Sequence, residues 1–215
     1  PADFCMLKGD GTLSTTVSDD GKSATITYVG AAAGRAFWGG AIKGLTYGEG
    51  KQYTITMKMA IASYDDNGTR KSNNAGVFVN FPTNTDAEYV KETGFRTLIG
   101  YYGAPDVQHS LSHAAGTKVS GRYASNYDYT KANLATLDAE GFVDIAFVIS
   151  GKTMTVYINN VYYDEVDSFT TDFYANGSNL GFSTYLYNTN ASITVKDAKV
   201  YKGNIVTAPP YPDYY

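Results

Sequence analysis

The chain has 215 residues, enough for one large domain or two small ones, and at 43% hydrophobic and 18% charged it can bury a core and is not a disordered chain. A net charge of -4, a pI near 5.1 and 17 Lys and Arg scattered without a run exclude a binder of phosphate backbones. No stretch approaches the ~18–20 consecutive apolar residues of a membrane helix, so no membrane insertion is expected, and what remains conspicuous is 20 Tyr and 22 Gly.

The opening PADFCML lacks a charged segment followed by an apolar one and reads as a trimmed or mature fragment. Cys5, with no second cysteine, makes no internal disulfide and reads as a small buried hydrophobe. Alternating apolar and polar residues predict strands at 13–18 and 23–29. Within 53–61, Tyr53, Ile55, Met57, Met59 and Ile61 share one side, as a half-buried strand requires. Further strands are expected at 75–81 and 94–102. The segment 130–140 is the one stretch read as either a short helix or a loop.

From 143 onward the pattern is that of a meander. Val143, Ile145, Phe147 and Ile149 alternate inward, a turn falls at Ser150-Gly151-Lys152, and Met154, Val156 and Ile158 alternate next. Asn159-Asn160 suits the positive φ of a tight hairpin turn before a third strand at 161–166. Two more strands are expected at 179–186 and 191–201. The last changes phase near Lys196-Asp197, as a β-bulge would make it do. Strands spaced this regularly without intervening helices imply two packed antiparallel sheets in one domain, 1–203. The residues 204–215, with three prolines and no alternation, read as a linker or tail leading to further domains of the same polypeptide.

The runs FVDIAFVISGKTMTVYINNVYYDEV and NLGFSTYLYNTNASITVKDAKVYKG resemble the closing half of the concanavalin A-like lectin/glucanase jelly roll. The resemblance implies an all-β fold, a two-sheet antiparallel jelly-roll β-sandwich over residues 3–203, with 4–8 as a first strand lying near the last. It also implies a concave sheet that holds an oligosaccharide, in enzymes and in non-catalytic binding modules alike, and it admits a structural calcium ion. Function has to be argued from residues.

Carboxylates separate enzyme from binder. Glycosidases set two of them about 5–9.5 Å apart across the scissile bond. The glucanases of this superfamily resemble one another in Glu-x-Asp-x-Glu or Glu-x-Asp-x-x-Glu, and the nearest match here is Glu165-Val166-Asp167-Ser168-Phe169-Thr170. Phe169 and Thr170 stand where the third acid belongs, so no catalytic residue is assigned. Asp65-Asp66 and Asp86-Ala87-Glu88 sit in loop-like stretches without the spacing of a calcium loop, and no metal ligand or cofactor is assigned. His109 and His113 share strand parity about 13 Å apart, too far for one ion. On a helix their spacing would suit zinc, with no third ligand evident.

Sugars lie with their C–H faces on aromatic rings and direct hydroxyls to fixed polar groups. Trp38, within Gly34-Arg35-Ala36-Phe37-Trp38-Gly39-Gly40, is flanked by glycines that would let a ligand approach, and it stands equally as a core residue. Tyr101, Tyr102, Tyr123 and Tyr127 are the other platforms, the last two with Tyr129 in GRYASNYDY, read as a loop. Arg70, Arg96, Gln108, His109 and Asp128 are the expected hydroxyl partners.

The sequence therefore predicts a non-catalytic carbohydrate-binding module for a neutral polysaccharide or oligosaccharide. In its Tyr, Asn, Thr and Gly richness it is similar to modules of exported gut-bacterial proteins, starch-adherence proteins among them, which makes α-glucan the first expected ligand and a secreted or cell-surface bacterial location the expected one. The competing expectations are a glycoside hydrolase or lyase with unrecognised acids and a protein-binding adhesion domain.

Overall fold

Side chains that alternate between apolar and short polar along so much of the chain can be hidden on one side only if strands stack as sheets. A computed structural model describes residues 5–9, 12–29, 35–61, 72–79, 94–101, 105–112, 122–124, 138–151, 153–166, 178–187 and 191–207. In chain order the strands are β1 (Cys5–Gly9), β2 (Thr12–Val17), β3 (Ser23–Val29), β4 (Arg35–Tyr47), β5 (Gln52–Ile61), β6 (Ser72–Val79) and β7 (Gly94–Tyr101). There follow β8 (Pro105–Ser112), β9 (Arg122–Ala124), β10 (Phe142–Ser150), β11 (Thr153–Ile158), β12 (Val161–Val166), β13 (Ser178–Tyr187) and β14 (Ala191–Lys202).

Among the described residues these form two seven-stranded sheets, both antiparallel throughout. The first runs β1-β4-β13-β6-β7-β8-β9 and the second β12-β11-β10-β5-β14-β3-β2. The expected two-sheet antiparallel β-sandwich is the fold, and the described residues contain no helix. Between the sheets the second contributes Ile55, Met57 and Met59 of β5, Val143, Ile145, Phe147 and Ile149 of β10, and Met154, Val156 and Ile158 of β11. The first contributes Val77, Leu180 and Tyr47, with Ile42, Leu45 and Phe182 packed against them. Burying a side chain of this size contributes roughly 1.5–3 kcal/mol, so this layer dominates the favourable side of folding.

The meander forms as its alternation requires. β10 pairs with β11 from Ile145↔Ile158 to Ser150↔Thr153, and β11 with β12. Asn159 and Asn160 take φ of 51° and 61°, the left-handed pair that matches the twist of a two-residue hairpin. The phase change in β14 is a bulge. Its pairing with β5 slips between Lys196 and Lys199, Asp197 takes φ of 55°, and the Asp197 N–H donates to the Lys22 carbonyl at 2.9 Å.

Three arrangements differ from the sequence reading. β4 is a 13-residue strand of the first sheet between β1 and β13, where glycines hide the alternation. Its register against β13 jumps between Ala41 and Thr46, around Gly44 at φ 74°. Within GRYASNYDY, residues 122–124 are the edge strand β9. β14 lies between β5 and β3, whereas β1 pairs with β4 in the opposite sheet, so the first and last strands are not neighbours. The segment 130–137 lies outside the described residues.

Past β14 the chain stays on the second sheet. The Gly203 N–H donates to the Gln52 carbonyl at 2.7 Å, the hydroxyl of fully buried Thr54 donates to the Gly203 carbonyl at 2.7 Å, and the Ile205 N–H donates back to the Thr54 hydroxyl at 3.3 Å. Thr54 is a polar residue on the outward side of β5, and this strap is what covers it. Along the β14 bulge the sandwich is less tightly closed. A gap of about 670 Å³ there reaches Ile26, Ile42, Ile55 and Phe182 from the surface.

Candidate functional site

Positions paired across an antiparallel ladder share a face, and neighbours along a strand take opposite faces. In the first sheet Phe182 pairs with buried Val77, which fixes the core phase. Carried across the ladders, the row of that phase is Gly40, Phe182, Val77, Thr97, His109 and Arg122. Two residues along, Trp38, Thr184, Ala75, Ile99, Val107 and Ala124 have the same phase, and Tyr101 follows Ile99 in it. The rows between hold the outer phase. One is Gly39, Ser183, Gly76, Leu98, Gln108 and Tyr123, and the next is Ala41, Gly181, Phe78, Arg96 and Ser110.

The register thus sorts the expected sugar-binding residues. Arg96, Gln108 and Tyr123 come together in the outer phase on the adjacent strands β7, β8 and β9. Gln108 lies directly across from Tyr123, about 5 Å away, and Arg96 lies on the diagonal from Gln108 at about 7–8 Å. Trp38, Tyr101 and His109 hold register positions in the core phase. Arg70, Tyr102, Tyr127 and Asp128 lie outside the described residues, as do Tyr129, His113, Asp65, Asp66, Asp86 and Glu88. Of the partial acid motif, Glu165 pairs with Thr155 on β11, and Asp167 and Phe169 lie outside the described residues. Among the described residues no three His, Cys, Asp or Glu gather as a cation site.

Sequence reasoning missed a concavity on the outward face of the second sheet. There Ala146 of β10, Thr56 of β5 and Lys199 of β14 form one ladder row. Ala146 and Thr56 are short, so the row makes the floor of a trough of about 730 Å³ running across the strands. One wall is the next row, Asp144 and Lys58, with the Asn159-Asn160 turn beside it. The opposite wall is Tyr201 with Ile205 and Val206 of the strap.

The lysine in this wall is already paired. Lys58 Nζ lies 3.3 Å from both Asp138 Oδ2 and Asp144 Oδ1. The hydrogen bond to Asp144, then that to Asp138, hold the Lys58 ammonium above its ordinary pKa. Asp138 is held below the usual carboxylate range, first by the Phe142 N–H and, against a smaller opposing effect of burial, by the Glu140 N–H and Lys58. The Asn159 side-chain carbonyl accepts from the Asp144 N–H at 3.1 Å, which ties the turn to the wall. Further along this face Lys196 pairs with Glu140 and sits 4.0 Å from the centre of the Phe142 ring. The signal that could have found the trough was the parity of Ala146 and Thr56 between longer outward residues. Its other wall follows only from where the chain goes after β14.

No protein-family model matches the chain, and no curated protein sequence matches it. Solved structures do. The potassium-bound Emp46p carbohydrate recognition domain is 12% identical with a TM-score of 0.54, over 95% of this chain and 90% of that one. The lectin UEA-II complexed with galactose is 10% identical with a TM-score of 0.54, over 94% of each chain. A family 7 alginate lyase, A1-II', in complex with substrate is 12% identical with a TM-score of 0.55, over 95% of this chain and 94% of that one. At these identities the likeness establishes the architecture. The described residues share the jelly-roll β-sandwich fold of these structures.

Proposed function

We propose that this domain is a non-catalytic carbohydrate-binding module that grips a neutral polysaccharide or oligosaccharide on the outer face of its first sheet. The observation that carries the reading is the convergence of Arg96, Gln108 and Tyr123 in the outer phase of three adjacent strands. By residue type these positions offer a guanidinium, a primary amide and a phenol, which are donors, an acceptor and an aromatic ring, the set a pyranose requires. The same architecture in proteins named as a carbohydrate recognition domain and as a galactose-complexed lectin supports it. An α-glucan such as starch is the ligand proposed first, and an exported bacterial surface protein the setting. Both rest on composition.

Affinity electrophoresis through gels containing soluble starch, xylan or mixed β-glucan tests the reading. Retardation on at least one polymer is expected, and equal mobility on all of them overturns it. The likeness to an alginate lyase favours one competing reading, a lyase or hydrolase. Alginate belongs in the panel for that reason, and steady release of reducing or unsaturated sugar from any of the polymers would replace binding with catalysis.

A further inference from the structure

We propose that the trough across β10, β5 and β14 is a second glycan site, on the opposite side of the sandwich from Arg96, Gln108 and Tyr123. The inference rests on the carbohydrate reading for its ligand class but on different residues for its location. Its volume of about 730 Å³ falls within the range of small-ligand sites. The floor of Thr56 and Ala146 is flat because both side chains are short, and both walls stand on regular strands or on the hydrogen-bonded strap.

The lining selects a neutral, hydroxyl-rich ligand. It carries two lysines, Lys58 and Lys199, and two aspartates, Asp144 and Asp197, so its formal charges cancel. Lys58 is already held between Asp144 and Asp138, so its ammonium is not free to recruit an anion. An anion would meet carboxylates beside the lysines, and a cation would meet lysines beside the aspartates. An uncharged sugar meets donors from the lysines and Asn160, acceptors from the aspartates, and the ring of Tyr201 beside the aliphatic Ile205 for its C–H face. Two sites facing away from each other would let one module bridge two polysaccharide chains, and the effective concentration of the second chain would strengthen adhesion without new contacts.

Isothermal titration with maltoheptaose, xylohexaose and cellohexaose tests this in the intact chain. The wild type is compared with Tyr201→Ala, Lys199→Ala and Asn160→Gly, the last removing the amide while keeping a residue that accepts φ of 61°. The double variant Arg96→Ala/Gln108→Ala is the opposite-face control, and thermal midpoints confirm that each variant is folded. Two bound oligosaccharides per chain are expected, falling to one in the trough variants or weakening there about tenfold. Trough variants that keep the wild-type stoichiometry and Kd overturn the second site and leave the proposed function standing. No binding of any probe by the wild type overturns both. Loss of all binding in the trough variants with none in the double variant supports the trough and removes the first-sheet site.

Discussion

The phenolic hydroxyl of Tyr47, at the end of β4 in the first sheet, donates to the carbonyl oxygen of Gly151 in the β10–β11 turn of the second. Tyr47 is fully buried, and its ring stands 6.4 Å from that of Tyr53, whose own hydroxyl donates to the Thr46 carbonyl at 3.0 Å. Two strands from different sheets are therefore tied at one end of the sandwich by directional bonds as well as by apolar contact. Tyr47→Phe keeps the ring and deletes the bond, so a loss of about 1 kcal/mol in urea unfolding is expected. Tyr47→Ala also opens a cavity and is expected to cost about 3–5 kcal/mol, as large aromatic deletions do. Equal stability of wild type and Tyr47→Phe would show the bond to be dispensable.

The hairpin at Asn159-Asn160 invites a backbone test. Both residues occupy left-handed φ, which costs an ordinary L residue roughly 1–2 kcal/mol and glycine almost nothing. Asn160→Gly is expected to leave the thermal midpoint within a few degrees of wild type, and Asn160→Val to lower it clearly. The contrast is specific to Asn160, because Asn159 also holds the Asp144 N–H.

The acid limb of stability is expected to depend on Asp138. Its folded pKa is depressed, chiefly by the Phe142 N–H, so the folded state binds its proton less readily than the unfolded chain does. Its contribution is present above the ordinary Asp value of about 3.9 and is lost as pH falls through the lower folded value. Asp20, depressed by the Ser18 hydroxyl and the Lys22 N–H, acts in the same direction. Urea midpoints measured from pH 7 to pH 2 should fall less steeply in Asp138→Ala than in wild type. Parallel curves would show that the carboxylate has no such role.

Glycan affinity and fold stability should separate by register phase. Arg96→Ala and Gln108→Ala, in the outer phase, are each expected to weaken retardation on the preferred polysaccharide about tenfold with little change in thermal midpoint. Trp38, with the phase of Phe182 and Val77, is expected to behave oppositely. Trp38→Ala should lower stability by about 3–5 kcal/mol, and the folded protein should still bind. A Trp38→Ala protein of wild-type stability that no longer binds would place the platform at Trp38 after all.

Much of the architecture is legible in local chemistry. The alternation in β5, β10 and β11 marks the core-facing side of each, because a pleated strand has only two faces, though Thr54, Val148, Thr155 and Tyr157 of the other phase are buried as well. Asn159-Asn160 and the phase change before Ala198 announce the turn and the bulge, since each needs a backbone state or an extra residue that few sequences provide. β4 was not legible. Gly39, Gly40 and Gly44 break its periodicity, and only its ladders with β1 and β13 on either side hold it extended.

The candidate sites divide the same way. Residue type and local context brought forward Arg96, Gln108 and Tyr123, but equally Trp38, Tyr101 and His109, because neither says which way a strand is phased against its partners. Pairing across the ladders sorts the two sets, and that pairing joins residues far apart in sequence. The trough depended on tertiary structure still more. Ala146, Thr56 and Lys199 are separated by scores of residues and become one row only when β10, β5 and β14 lie side by side, and the return of the chain over Thr54 adds the second wall. By itself the sequence determined a sparsely charged, aromatic chain of strands with one apolar face each, since those are properties of residues and their immediate neighbours. Which outward residues stand together was decided by the non-local register of the two sheets.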